Sequence, residues 1–212
     1  MCCYVFNMYA IFLLVLATSK KTINNFATTI LYKNMKVMSK QKLAQKIYEV
    51  SYIQGKFLLR SGQISNEYFD KYQFESHSKL LYAIAKYIQP ILPDDFDFMA
   101  ALEMGGIPIA TALGLQTGKS MVFVRKEAKK YGTAKLVEGP DINDKKLLII
   151  EDVVTSGGQI ISSVDELRKA GAIIEKAVCV IDREQGGKEA LKKHGIELIS
   201  LFTMEQLKEF GN

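Results

Sequence analysis

From Ser39 onward the chain moves between two hydrophobic rhythms. Leu43, Ala44, Ile47, Tyr48 and Val50 recur at helical spacing, and the Ser39 hydroxyl ahead of them suits an N-cap, so a helix is predicted there. The run GKFLLRSGQIS is apolar and is then broken by Ser-Gly, the pattern of a strand entering a turn. NEYFDKYQF is rich in aromatic residues and reads as extended. Ser78 is placed to cap a helix running through Gln89, with Leu80, Leu81, Ile84 and Ile88 on one side. Pro90 and Pro93 end it, because the residue before a proline is driven out of the helical region.

Beyond Pro93 the two rhythms alternate. FDFMAAL reads as a strand, EMGG as a turn, and Ile107 to Thr117 as a helix closed by Gly118. SMVFV is a strand. Residues 125–146 are polar and punctuated by glycine, with neither period. KLLIIE is a strand, Gln159 to Ala170 a helix closed by Gly171, and IIEKAVCVID another strand. A short helix at 187–194, the strand IELISLF and a last helix follow. Thr203 and Gln206 have the spacing of a capping box that opens that helix. Repeated strand-helix-strand order predicts an α/β fold: a mostly parallel central sheet flanked by helices on both faces. The runs KLLII and AVCVI are continuously apolar, as strands covered on both sides are.

The first 38 residues do not share this patterning. MCCYVFNMYAIFLLVLA is almost wholly apolar, is followed by TSKK, and lacks the amino-terminal positive charge of a secretory signal. Three readings stay open: translation beginning at Met35 or Met38, an anchor or targeting segment near the lower length limit for a membrane span, or an extra docked helix. Residues 1–38 are therefore set apart as an extension that need not belong to the working protein, and 39–212 as the one domain. The split also explains the charge. Of the formal net charge of +5, the four lysines Lys20, Lys21, Lys33 and Lys36 supply +4 with no acid among them, and the remaining 24 basic and 23 acidic residues leave +1. A nearly neutral body gives no global case for nucleic-acid binding. Cys2, Cys3 and Cys179 have no metal-ligand spacing, and Cys179, inside AVCVI, reads as a small core residue. His77 and His194 are far apart and near no acid pattern, so both read as surface or loop residues.

Candidate chemistry concentrates in LLIIEDVVTSGGQI, Leu147 to Ile160. Two acids, Glu151 and Asp152, sit near the carboxyl end of a buried strand, where ligands of parallel sheets bind. Val153 and Val154 lead into Thr155, Ser156, Gly157, Gly158 and Gln159. Glycines let successive backbone N–H groups face one concavity, and the helix that follows adds the positive end of its dipole. The turn therefore reads as a phosphate cradle, and the acids as groups that reach a sugar above it. It has no Walker lysine and no dinucleotide glycine spacing. The bland alternative is an ordinary strand-to-helix turn with solvated acids.

LLIIEDVVTSGG resembles the phosphoribosyl-diphosphate-binding motif of the type I phosphoribosyltransferases: a hydrophobic strand, two acids, two aliphatic residues, then Thr-Ser/Thr-Gly. Four further segments resemble the orotate phosphoribosyltransferases in particular. FVRKEAKKYGT (123–133) is similar to their mobile catalytic loop, FLLRSGQISNEYFD (57–70) to the amino-terminal hood segment on the orotate side, VCVIDREQGG (178–187) to the strand end facing orotate, and EMGGIPIA (103–110) to the loop beside the diphosphate. The resemblance runs in one order from about residue 40 to the C-terminus.

That resemblance implies transfer of a phosphoribosyl group from phosphoribosyl diphosphate to orotate, giving orotidine 5'-phosphate and diphosphate in pyrimidine biosynthesis. It implies that Thr155–Gln159 bind the 5-phosphate, that Glu151 and Asp152 contact the ribose hydroxyls, and that Arg183 pairs with the orotate carboxylate, with Thr155 also touching the base. Arg125, Lys126, Lys129 and Tyr131 belong to the loop that closes on the diphosphate, and Lys129, Arg125 and Asp152 are the residues expected to act in catalysis. The expected cofactor is Mg2+ held mainly through the substrate, since that ion prefers substrate phosphates to a protein cage. A cytoplasmic homodimer sharing loop 125–139 between subunits is implied, with neither nucleic acid nor membrane as partner. This chain departs from the pattern in four places. Tyr131 stands where many members have His, Arg60 where many have Lys, and Glu151 where Asp is frequent; EMGG replaces a Lys-containing version, so Met104 supplies no positive charge there. Two alternatives stay open: a type I phosphoribosyltransferase for a purine or another pyrimidine, and a non-catalytic sensor of phosphoribosyl diphosphate.

Overall fold

Helix α1 (Lys40–Ser51) begins where the sequence places it. The Ser39 hydroxyl accepts from the Lys42 amide at 3.2 Å, and Leu43, Ala44 and Ile47 are fully buried. The computed structural model describes residues 37–58, 62–127 and 136–211, and Met38–Asn212 forms one compact unit. Strands β1 (Tyr52–Leu58) and β2 (Ile64–Phe69) pair antiparallel as a separate two-stranded hairpin. NEYFDKYQF is extended only through Phe69. Asp70 then accepts from the Tyr72 amide at 3.1 Å and caps a short helix, α2 (Lys71–Glu75), where an extended segment is predicted. Helix α3 (Ser78–Ile88) also differs at its start. His77, without a side-chain cap, occupies the N-cap position, and Ser78 is the first helical residue. A single 3-10 turn over Gln89–Ile91 carries Pro90 and stops the helix.

The remaining elements are β3 (Phe98–Leu102), α4 (Gly106–Thr117), β4 (Met121–Val124), β5 (Val137–Glu138), β6 (Lys146–Val154), α5 (Gly158–Lys169), β7 (Ile173–Asp182), α6 (Gly187–Lys193), β8 (Glu197–Thr203) and α7 (Met204–Gly211). Among the described residues six strands form the main sheet in the order β5-β4-β3-β6-β7-β8. All neighbours are parallel except β4 and β5, so the antiparallel edge lies in the stretch 125–146 where no period is legible. Gly118 closes α4 in the left-handed conformation (φ 73°), and Gly171 does the same after α5 (φ 88°). The capping box is present: the Thr203 amide donates to the Gln206 side chain at 3.0 Å, and the Gln206 amide to the Thr203 hydroxyl at 3.3 Å.

Both faces of the sheet are covered. Ala100, Leu102, Leu147, Ile149, Ala177 and Cys179 point into a core shared with Ile160, Val164, Leu167 and Leu191 of α5 and α6. The alternating positions Met99, Ala101, Leu148, Ile150, Val178 and Val180 are equally buried, on the opposite face. Each fully buried Leu or Ile contributes about 1.5–3 kcal/mol relative to exposure, and this placement fixes the strand register. The register then builds a crevice. Strand β3 pairs with β6 only as far as Ile150, whereas β6 continues beside β7 through Glu151↔Cys179, Val153↔Ile181 and Val154↔Asp182. The chain leaves β3 toward β4 and leaves β6 toward β7. The gap at their carboxyl ends is the switch point where such sheets bind ligands.

Candidate active site

The glycine turn sits at that switch point. Strand β6 ends at Val154, Thr155 and Ser156 are exposed, and Gly157 adopts φ 75° and ψ −2° as the N-cap of α5. Only glycine enters that left-handed region at little cost, so the chain can reverse within three residues. No side chain caps α5, which leaves the amides of its first turn directed into the crevice. The turn is held from behind. The Arg183 amide donates to the Val154 carbonyl at 2.9 Å, and Gly187 packs so closely that a Cβ there would lie 2.5 Å from the Thr155 carbonyl oxygen. Gln159 does more than line the cradle: its side-chain amide donates to the Glu103 carbonyl at 3.1 Å and ties α5 to the loop after β3. In that loop the Glu103–Met104 peptide is cis, and Met104 is exposed.

The two acids are more buried than the sequence suggests, because they lie inside β6 and not beyond it. Glu151 retains 6% of its exposure and Asp152 none. As adjacent strand residues they start from opposite faces, but the Glu151 side chain turns back so that its carboxyl accepts from the Asp152 amide at 3.1 Å. Asp152 shares the face of Leu148 and Ile150, toward α4 and α2. Its carboxylate accepts from the Val153 amide, and Lys71 of α2 forms an ion pair with it, Nζ to Oδ2 at 2.6 Å. Gly105 lies against the same oxygen: a Cβ on Gly105 would meet Oδ2 at 1.5 Å. Glu75, one helical turn after Lys71, is buried near Asp152, and the two carboxyls act on each other's protonation.

One cation therefore serves three crowded carboxyls, and their protonation separates accordingly. Burial pushes the Glu75 carboxyl up, the neighbouring Asp152 charge adds to this, and its pKa reaches about 9. Burial likewise holds Glu151 well above the ordinary carboxylate range, again with Asp152 adding to the shift. Burial would raise Asp152 too, but hydrogen bonding from Glu151 and Glu75 and the charge of Lys71 more than offset it, so its pKa is lowered. Lys71 is depressed by burial, yet Asp152 and Glu151 outweigh that and raise it. Asp152 is thus the ionised member of the group at neutral pH, with Glu75 protonated.

Arg183 stands where β7 ends. Beside it, Tyr68, Phe69, Gln185, Met204 and Lys208 help line a cavity of about 210 Å3 between the β1–β2 hairpin and the sheet. Its Nε is buried and has no hydrogen-bond partner among the described residues, an open donor that calls for an acceptor. Arg125 follows β4 and is half-exposed; its Nε faces Glu138 of β5 at 3.3 Å. The Lys126 amide donates to the Glu103 carboxylate at 3.3 Å, so the start of this loop lies beside the loop after β3. Lys129, Tyr131 and Arg60 lie outside the described residues. Sequence reading missed Lys71, Glu75 and Gly105. Two signals were available: Lys71 and Glu75 are four apart and share one helical face once Asp70 is recognised as a cap, and the pair Gly105-Gly106 marks a close backbone approach.

A parallel sheet with an anion-ready turn and a buried acid pair at its switch point is the architecture of a phosphoribosyltransferase, and the phosphoribosyl transferase domain family matches residues 72–204. Orotate phosphoribosyltransferase from Nocardioides sp. is 44% identical over 165 residues, covering 78% of this chain and 92% of that protein. The enzyme of the same name from Methanocaldococcus jannaschii is 38% identical over 170 residues, covering 80% and 97%. Among solved structures, Mycobacterium tuberculosis orotate phosphoribosyltransferase superposes with a TM-score of 0.72 at 26% identity, covering 79% of this chain and 98% of that one. The chain belongs to the orotate phosphoribosyltransferase family.

Proposed function

We propose that this chain transfers the phosphoribosyl group of phosphoribosyl diphosphate to orotate, forming orotidine 5'-phosphate and releasing diphosphate. The observation that favours orotate as acceptor is the buried, unpartnered Nε of Arg183 beside the aromatic-walled cavity. A planar guanidinium matches a carboxylate, and neither a purine nor uracil carries one. The relatives' names point the same way.

In this reading the amides of Ser156, Gly157, Gly158 and Gln159 bind the 5-phosphate, with the Thr155 and Ser156 hydroxyls as further donors and Val153 and Val154 as the rigid approach. Asp152 and Glu151 accept from the ribose hydroxyls. The bond from the anomeric carbon to the diphosphate oxygen breaks as the orotate nitrogen bonds to that carbon, and the ribose becomes transiently cationic. Ionised Asp152, held in a dry site, opposes that charge without having to reorient. Orotate arrives deprotonated at the attacking nitrogen, so no strong base is needed. Arg125, Lys126 and Lys129, with Tyr131 beside them, neutralise the leaving group. Among the described residues no three His, Cys, Asp or Glu side chains are arranged to hold a metal ion, and Asp152 is engaged by Lys71. Mg2+ carried by the substrate's own oxygens would offset the diphosphate charge. A cytoplasmic homodimer in which loop 125–139 completes the partner's site, and a working chain that begins near Met38, complete the proposal. Among the described residues no helix is long and apolar enough to cross a membrane.

The test is to follow orotate absorbance after adding phosphoribosyl diphosphate and Mg2+ to protein that starts at Met38. Orotate should disappear with one diphosphate released per turnover. Inert orotate together with consumption of adenine or hypoxanthine would reverse the choice of acceptor. Arg183→Ala should raise the KM for orotate far more than that for phosphoribosyl diphosphate.

A further inference from the structure

Helix α2 has no place in the catalytic scheme above, yet its two charged residues reach the centre of the site. Lys71 forms the 2.6 Å ion pair with Asp152, and its side chain keeps 33% of its exposure at the crevice. Glu75, on the same helical face, is buried against the same carboxylate. Burial alone would drive the Asp152 carboxylate to take up a proton; hydrogen bonding from Glu151 and Glu75 opposes this, and a paired cation adds the one full opposite charge. Among the described residues Lys71 is the cation paired with it.

We propose that Lys71 is a positioning residue of the ribose clasp: its ammonium fixes the Asp152 carboxylate, ionised and turned against Gly105, so that it meets the sugar already charged. The groups facing Asp152 are Lys71 and Glu75 from α2, with Asp70 at that helix's cap, and Glu151 from β6, with Cys179 and Asp182 of β7 behind it. Without Lys71 the hydrogen bonding from Glu151 and Glu75 remains but no cation pairs with the carboxylate, so the pH at which Asp152 takes up a proton rises. A neutral Asp152 still hydrogen-bonds a hydroxyl but no longer opposes positive charge on the ribose. The loss therefore falls on kcat more than on the KM for phosphoribosyl diphosphate.

The inference rests on the reading of Asp152 as a ribose contact. In the experiment, kcat and kcat/KM for phosphoribosyl diphosphate are recorded against pH for the wild type, Lys71→Met, Lys71→Arg and the control Lys146→Met. Lys146 pairs with Asp95 at the opposite end of β6. Lys71→Met should lower kcat at neutral pH by on the order of tenfold or more, shift the acid limb to higher pH, and recover part of the loss as pH rises. Lys71→Arg should restore the limb, and Lys146→Met should leave it in place. A Lys71→Met profile with the wild-type limb, scaled down or not, would overturn the proposal. If Lys71→Met does not fold, carboxyl carbon NMR on the wild type decides: Asp152 should titrate below Glu75 and Glu151, and the reverse order overturns the proposal. Wild-type protein that turned over no orotate would count against the functional reading alone, because the NMR titration needs no turnover.

Discussion

Gly105→Ala adds one methyl group at the point where the loop after β3 meets the acid pair. The Gly105 backbone (φ −70°, ψ −27°) is one that alanine adopts freely, so the whole effect must come from space. The new Cβ would lie 1.5 Å from Asp152 Oδ2 and 2.3 Å from its Cγ. Relief needs a separation of about 2 Å more, given van der Waals contact near 3.5 Å. Asp152 cannot yield cheaply: it is fully buried, and both Lys71 and the Val153 amide hold it. Stripping a buried carboxylate of its partner costs about 3–5 kcal/mol, and lifting the 103–106 loop breaks the Gln159–Glu103 tie instead. A loss of about 3 kcal/mol lowers Tm by roughly 6–12 °C for a domain of this size. Urea and thermal unfolding of Gly105→Ala, Asp152→Ala and the double variant measure it. The double variant should be less destabilised than the sum of the singles by about 1–3 kcal/mol, because removing the carboxylate removes the clash. Strict additivity, or a Gly105→Ala protein that melts within a degree of the wild type, would refute the packing described.

Two further outcomes follow from the same geometry. Glu75 titrates near 9 in the fold against an ordinary carboxylate value of 4.5, so its contribution to stability is full below about pH 4.5 and is lost as pH rises toward 9. Glu75→Gln should therefore gain unfolding free energy relative to the wild type by up to about 1.4 kcal/mol per pH unit across that window; a difference flat from pH 5 to 8 in urea titrations would contradict the assignment. Gly187→Ala would push its methyl within 2.5 Å of the Thr155 carbonyl and 2.7 Å of Val154 Cγ1, displacing the cradle from behind. The KM for phosphoribosyl diphosphate should rise about tenfold or more while that for orotate changes little, and equal changes in both would show that the turn had not moved.

The sheet was legible because its signal is redundant. A strand such as IIEKAVCVID, apolar on both faces, has few alternatives to burial, and the observed β7 has the bounds of that run. The cradle was legible because its chemistry lies in consecutive residues. What stayed hidden depends on contacts between distant parts of the chain. Asp70 has the composition of an extended stretch around it, but its side chain accepts from Tyr72 and starts α2. Lys71 and Glu75 then read as two solvated charges until the fold sets them against Asp152, 81 and 77 positions further on. The length of β6 was hidden for a similar reason: acids look like a strand end, and only pairing of Glu151 to Val154 with β7 keeps them inside it. Polar composition likewise concealed β5, an edge strand of two residues held by β4.

The claim beneath all of this is that the turn after Val154 grips a sugar monophosphate through its backbone. Amide NMR of 15N-labelled protein titrated with ribose 5-phosphate measures that contact without requiring catalysis. The resonances of Ser156, Gly157, Gly158 and Gln159 should move together and saturate at one affinity. Silent amides in this turn, with saturating shifts elsewhere on the molecule, would contradict the account at its root.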